Sequence, residues 1–354
     1  MIEILGDTRA LLNYRDRWID LCQYSHRSYT PFQHFDYIFY SWEHMCSNLG
    51  KLHVIVLIRQ KDQIVQAIFP CYIDKRKCLR FINDRHSDFC SAIVRDEFID
   101  DYHLYAEFYK YYQTNKAIKK IQLLNIDENN PLFANLAYFL KGGINRVVSM
   151  YSDFHVSQSG DYQVSFVNGM SRLNTKDKYR LKNVLNKTAM MSLKVYESRT
   201  ELFPESIVSG LTQQMIYAGI RKTYYFNMHM MTLFKCLYDA GLLIVFATYE
   251  NERPIAANLF LKNKDEYIDW IALYSEKSNN LNNLLQVVEY ISNTGGGIMN
   301  LARGTYEYKM HNFRPALHFL FGLFHSKNLL GKIFDLWAAD GYYLRQIAKS
   351  YLRK

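Results

Sequence analysis

Apolar and polar positions along the chain alternate in a way that predicts short strands mixed with amphipathic helices. Residues 2–5 read as a strand. Asp7-Thr8 caps a helix to about residue 22, with Leu11, Leu12, Trp18, Ile19 and Leu21 as its apolar positions. Thr30-Pro31 breaks the chain before an aromatic-rich helix over 33–47. Strands follow at 52–59, 63–74 and 79–83, the first two joined through the polar break Lys61-Asp62-Gln63. A helix over 100–113, a strand over 119–126, a helix over 130–141 and a strand over 147–156 complete this half.

Beyond Gly160 the same order returns. It reads strand 162–167, basic helix 173–190, strand 192–196 and helices 201–220 and 227–240. Three consecutive strands come next, at 242–250, 254–262 and 267–275, with a hairpin break at Asn251-Glu252-Arg253-Pro254. A helix over 280–294, strands 297–302 and 317–326, and a basic amphipathic helix from Leu329 end the sequence. The order of elements repeats although the residues do not. The expectation is an α/β (α+β) chain of two tandem domains, 1–160 and 161–354, each with a mixed, largely antiparallel central sheet flanked by helices.

Composition adds a core and a charge. The 354 residues are 49% hydrophobic, with 29 tyrosines and 22 phenylalanines, enough for two cores and for clefts lined with hydroxyls. The formal net charge of +9 points to an anionic partner. The six cysteines form no CxxC pair, so neither a zinc site nor a disulfide framework is expected, and they read as reduced thiols of a cytoplasmic protein. The N-terminus lacks the basic and apolar regions of a signal peptide, and no apolar run is long enough to span a membrane. GxSxG, Walker, GxGxxG and HExxH motifs are absent. The basic residues are not interleaved with stacking aromatics, so no DNA partner is expected.

Two stretches carry candidate chemistry. The strand 267–274 runs almost directly into the helix that starts near Asn279, Asn280, Leu281, Asn282 and Asn283. That passage places free backbone N–H groups and a helix dipole at a sheet edge, where phosphate binds. The stretch 300–313, NLARGTYEYKMHNF, sets Arg303, Glu307 and Lys309 between apolar segments, where charges are kept when paired or used. Gly304 can take backbone angles closed to other residues. A polar turn over 84–88 in the first half offers Asp88 at a cleft edge. In the C-terminal helix, Lys332, Arg345, Lys349, Arg353 and Lys354 outnumber Asp335 and Asp340, and Leu329, Ile333, Phe334 and Leu336 form an apolar face. That pattern predicts a peripheral contact with a membrane or a partner.

The chain resembles the GNAT-type acyltransferases of the CelD/BcsL sort, relatives of the Fem-type peptidoglycan aminoacyltransferases, which carry two GNAT-like halves in one chain. The resemblance rests on Thr30-Pro31-Phe32-Gln33 through Trp42-Glu43-His44, on Leu79-Arg80-Phe81-Ile82-Asn83 with Ser87-Asp88-Phe89, and on Arg253-Pro254-Ile255-Ala256-Ala257. It continues through Tyr274, the helix from Asn280, and Asn300-Leu301-Ala302-Arg303-Gly304 with Tyr308-Lys309 and Phe313. Two departures stand out: asparagines replace the glycine often found before the phosphate-binding helix, and Asn300 replaces an acidic residue.

The resemblance implies transfer of an acyl group, from acetyl-CoA or another acyl-CoA and without a metal, to an amine or hydroxyl. An anionic or amino-sugar acceptor used in cell-envelope or polysaccharide synthesis would fit. Asn279 to Asn283 would hold the CoA phosphates and Tyr274 would protonate the leaving sulfur. Asp88 or Glu307 would be the base. Arg303, Tyr306, Tyr308 and Lys309 would bind the acceptor in a cleft facing Asp88. The setting would be the cytoplasm, extending to the inner face of the membrane. Fem-type relatives take aminoacyl-tRNA, so that donor stays open, as does a non-catalytic protein that binds an anionic glycan or lipid carrier.

Overall fold

The computed structural model describes residues 1–351 apart from 141, 159–178, 180, 181, 184, 185, 187, 189, 221–227, 276, 277, 279, 305–308, 311, 312 and 314. Contacts gather into two compact units, Met1–Met150 with His318–Lys354, and Tyr151–Leu317. The boundary expected at Gly160, the strand expected over 162–167 and most of the basic helix expected over 173–190 lie outside the described residues.

The first unit opens with β1 (Ile2–Leu5), α1 (Thr8–Asn13) and α2 (Arg15–Gln23). Asp7 caps α1 by accepting from the Ala10 N–H at 2.8 Å. The single helix expected to residue 22 is divided at Tyr14. The aromatic-rich helix is shorter than expected: α3 (Phe35–Ser41) comes after a tight turn over Pro31–Gln33 and widens over Trp42–Cys46. The hairpin strands also subdivide. β2 (Gly50–Leu52) and β3 (Val54–Ile58) part at His53, and β4 (Val65–Phe69) and β5 (Cys71–Asp74) part at Pro70. Proline has no N–H to give a ladder, so a strand that crosses it changes partners. The result is two sheets. β3 and β4 join β1 and β7 (Ile93–Val94) in the order β1-β3-β4-β7, while β2 and β5 join β6 (Cys78–Phe81) in another. The His53 N–H, bonded to the Cys71 carbonyl at 3.0 Å, ties the two crossing points together.

α4 (Tyr102–Thr114), β8 (Lys120–Asp127), α5 (Pro131–Phe139) and the start of β9 (Ile144–Val156) come next, with Asp101 and Asn130 as the caps of the two helices. The core lies between helices and sheets, with Phe69 stacked on Phe108 at 4.3 Å amid Leu57, Phe81, Tyr105 and Leu123.

The second unit takes the end of β9, then β10 (Ser192–Tyr196), α6 (Glu205–Tyr217), α7 (Met228–Asp239), β11 (Leu243–Glu250), β12 (Arg253–Asn263), β13 (Glu266–Tyr274), α8 (Asn280–Asn293) and β14 (Gly297–Arg303). Its strands stand in the order β10-β11-β12-β13-β14-β9. All neighbours are antiparallel except β13 and β14. Phe246, Phe260, Leu284, Ile291 and Met299 centre its core.

The chain then returns to the first unit. β15 (Ala316–Ser326) pairs antiparallel with β8, and α9 (Leu329–Tyr351) comes after it. The order in that sheet is β2-β5-β6-β8-β15, with β6 and β8 parallel. Both units therefore have a mixed, largely antiparallel sheet with helices against it. The segment from His318 onward belongs with the first unit because its strand completes the ladder beside β8.

Candidate functional site

β13 and β14 start together and do not stay together. Their parallel ladder covers three residue pairs, Glu266–Ile298, Tyr267–Met299 and Ile268–Asn300. Beyond it, β13 runs on to Tyr274 paired only with β12, and β14 runs on to Arg303 paired only with β9. Gly297 sets the closed end: a Cβ there would sit 2.3 Å from the Asp265 carbonyl oxygen, so only glycine lets the strands meet so tightly. The Ile298 N–H donates to that carbonyl at 2.9 Å.

Asn300 sets the start of the opening. Its buried side chain donates to Glu266 at 2.9 Å and accepts from the Ala302 N–H at 2.9 Å. Ala302 is held left-handed at φ 56°, a conformation an alanine keeps only when its surroundings impose it. Gly304 has φ 105°, the freedom its position required. The inward faces of β13 after Ile268 and of β14 after Asn300 thus keep peptide groups that no neighbouring strand pairs, which is how a sheet receives an extended ligand.

The α8 N-terminus sits at the end of this opening, fixed by a buried polar network. Asn283 donates to the Phe246 carbonyl at 3.3 Å and to the Asn258 side-chain oxygen at 2.5 Å. Asn258 donates to the Asp269 carboxylate at 2.6 Å. The Thr248 hydroxyl lies 2.8 Å from Asn283 Oδ1 and 2.7 Å from Gln286 Oε1, and Gln286 donates to the Met191 carbonyl at 3.2 Å. One helical turn is therefore tied to β11, to β12 and, through Asn258, to β13. Each of these side chains is buried, so each bond substitutes for one lost to water. The sequence carried a signal for this network: Thr248 and Asn258 interrupt apolar strands, and Asn283 and Gln286 share a helix face at i, i+3.

The expected site residues fall in different places. Tyr274 is half-buried at the end of β13, opposite Ala256. Arg303 closes β14 opposite Tyr151. Lys309 is buried and its ammonium donates to the Leu301 carbonyl, a task in the main chain of the opening. Asn280, Leu281, Asn282 and Asn283 form the first turn of α8 with their side chains buried, which leaves the backbone N–H groups as the anion-binding element. Asn279, Tyr306, Glu307 and Tyr308 lie outside the described residues.

Asp88 belongs to the first unit, in a loop built with equal care. Two left-handed asparagines frame it, Asn83 and Asn125, each at φ 60°. Asn125 on β8 donates to the carbonyls of Asp84 at 2.8 Å and Ser87 at 3.1 Å, and its own carbonyl accepts from the Cys90 N–H at 2.9 Å. Asn83 donates to Tyr37 and Ser41, both at 3.0 Å, and the Tyr37 hydroxyl lies 3.0 Å from that of Ser87. Arg80 grips Asp84 at 2.7 Å and reaches Gln122 of β8 at 3.0 Å. Burial works against the Arg80 charge, but the Asp84 carboxylate outweighs it and holds the guanidinium firmly protonated. The thiols nearby are not nucleophiles: burial raises Cys46 and Cys78 to about 12, and all six cysteines are free.

Among the described residues no group of three His, Cys, Asp or Glu side chains is placed to hold a metal ion. No helix among them is long and apolar enough to cross a membrane.

No protein-family model matches the chain, nor does any curated protein sequence. Solved structures do match it in fold. The C-terminal domain of a candidate lysylphosphatidylglycerol synthetase from Agrobacterium fabrum superposes with a TM-score of 0.58 at 11% identity, over 93% of this chain and 96% of that one. The lysylphosphatidylglycerol synthetase L-PGS from Bacillus licheniformis gives 0.54 at 10% identity over 81% and 88%. FemX gives 0.57 at 8% identity over 90% and 96%. The chain thus shares, over nearly its whole length, the fold of FemX and of the synthetase domains.

Proposed function

We propose that the chain is an acyltransferase whose second unit takes an acyl-CoA into the opening between β13 and β14 and passes its acyl group to an amine or hydroxyl of a cell-envelope or polysaccharide precursor. The observation that supports it is the three-pair ladder that parts with unpaired peptide groups on both inner edges. An extended thioester arm bonds to such edges as a strand would, and its phosphates then meet the first turn of α8. The acceptor's lone pair attacks the thioester carbonyl, the C–S bond breaks, and Tyr274 gives the departing sulfur its proton. Glu307 is the carboxylate in the same unit for the proton leaving the nucleophile. Arg303, at the rim of β14, suits an anionic acceptor. The narrower kinship with the CelD/BcsL sort is part of the same proposal.

An aminoacyl-tRNA is the second donor to test, favoured by the +9 charge and by asparagines where a glycine would admit a pyrophosphate closely. Thermal melts and calorimetry across acetyl-CoA and longer acyl-CoAs decide. Stabilisation of about 2.7 kcal/mol is expected at a ligand concentration of about 100 Kd. Silence across the CoA esters together with retention of charged tRNA shifts the donor, and silence toward both ends the transferase reading.

A further inference from the structure

We propose that the outer face of α9 is a docking surface for an anionic phospholipid bilayer. The helix lies on the first unit by its other side. Ala339 is buried among Leu124, Val148 and Phe324, and the Tyr342 hydroxyl accepts from Gln122 at 3.4 Å. Asn328 caps it by accepting from the Gly331 N–H at 2.7 Å. The outward side is inverted for a helix in water. Leu330, Ile333, Phe334, Trp337 and Leu344 fall within one arc at i, i+3, i+4, i+7 and i+14, and all are exposed, Trp337 by 78% and Phe334 by 70%. The carboxylate of Asp335 is on the buried side instead. Contiguous exposed apolar surface of this kind marks a binding face.

Charge selects the occupant. Residues 327–354 hold six basic residues against two carboxylates. Of those two, Asp335 is buried and Asp340 pairs with Arg146 at 3.4 Å. An isologous pairing of two copies through this face would bring the two basic segments together, like charge against like. Anionic headgroups complement them, and Trp and Phe suit the boundary between headgroup and acyl chain. A helix lying in that boundary needs no span. The surface is independent of the chemistry proposed above, because it involves no residue of the second unit.

The test uses the full chain with vesicles of phosphatidylcholine alone and of phosphatidylcholine mixed with phosphatidylglycerol. Co-flotation should retain the protein on the anionic vesicles about tenfold better, with the difference shrinking at high salt. The other tryptophans, Trp18, Trp42 and Trp270, are buried, so a blue shift of emission on vesicle addition reports Trp337 in the unaltered protein. The double variant Phe334→Glu, Trp337→Glu changes only exposed side chains and should keep the melt while losing retention. Equal retention of that variant, or no retention and no blue shift with either vesicle, overturns the proposal. Self-association that the double variant abolishes, without vesicle binding, overturns it in favour of a second copy of the chain.

Discussion

Each unit contains one pair of parallel neighbours, and the two pairs end differently. In the first unit β6 and β8 share two residue pairs, Cys78–Lys120 and Leu79–Ile121. Beyond them the chain fills the space with its own loop: Asn125 of β8 binds Asp84, Ser87 and Cys90 of the segment that leaves β6. In the second unit β13 and β14 share three pairs, and β13 leads on toward α8. Among the described residues no main-chain bond then links the two strands. The same departure from a sheet is used once to bury a polar loop and once to leave peptide edges for a guest. Whether a parting of strands is structural or functional is thus decided by the segment that leaves the first strand, a loop that folds back or a helix that moves away.

The comparison can be broken at several points. The largest effect should come from Arg80→Ala. It leaves the Asp84 carboxylate buried without its cation, and urea titration should show a loss of about 3–5 kcal/mol confined to the first unit's transition. Acyl-CoA affinity of the folded fraction should not change; a large drop in it would mean that the filled pair also serves the donor. Next is Tyr274→Phe, expected to lower kcat about a hundredfold with donor Kd and melting temperature intact. An unchanged rate removes Tyr274 as the acid.

Asn283→Ala sharpens the contrast from the other side. It strips Asn258 and Thr248 of a buried partner, and about 1–3 kcal/mol of second-unit stability should go with it. Donor affinity should fall as well, since the first turn of α8 loses its tie to the strands. Stability lost with affinity kept would separate the network from the donor site.

The smallest effect is in the pH dependence. Burial lowers the pKa of His34, His53 and His325, all in the first unit, with Lys332 adding to the effect at His325. These rings are neutral in the fold. Below the unfolded value of about 6.5 the unfolded chain takes up protons that the fold refuses, so stability is full above that pH and declines below it. Asp335 runs the other way: burial raises its pKa, and its favourable contribution, present below about 3.9, is lost as pH rises through the folded value. Melts between pH 7 and 5 should therefore show the first unit weakening, by about 1 kcal/mol or less for each histidine. A second unit that weakens equally would contradict this division.

Much of this was legible in the sequence, for reasons that particular residues show. Strands β11 to β13 and helix α8 carry unbroken periodicity, and the turn at Asn251–Glu252, both left-handed at φ 48° and 63°, is spelled by its residues. The exchange of sheets at His53 and Pro70 was not legible, because a strand's partner is set by tertiary pairing and a lone proline reads as a mere interruption. Tyr274 and Arg303 were found because they end strands. Asn83 and Asn125 were not singled out, because a left-handed asparagine in a loop and another in a strand only acquire meaning together. The return of residues 318–354 to the first unit was hidden as well: an apolar run such as 317–326 announces a strand and says nothing about its neighbour.

That return has a consequence in time. The second unit is one continuous segment, Tyr151–Leu317, whereas the first waits for residues from His318 onward. At about 5–20 residues per second on the ribosome, the interval between Met150 and His318 lasts roughly 10–30 s. Throughout it the β8 edge that β15 will cover is unclaimed, an open template for strands of other chains. Order of synthesis and order of completion are therefore reversed: the unit begun first is finished last, and nascent-chain chaperoning matters most before β15 arrives.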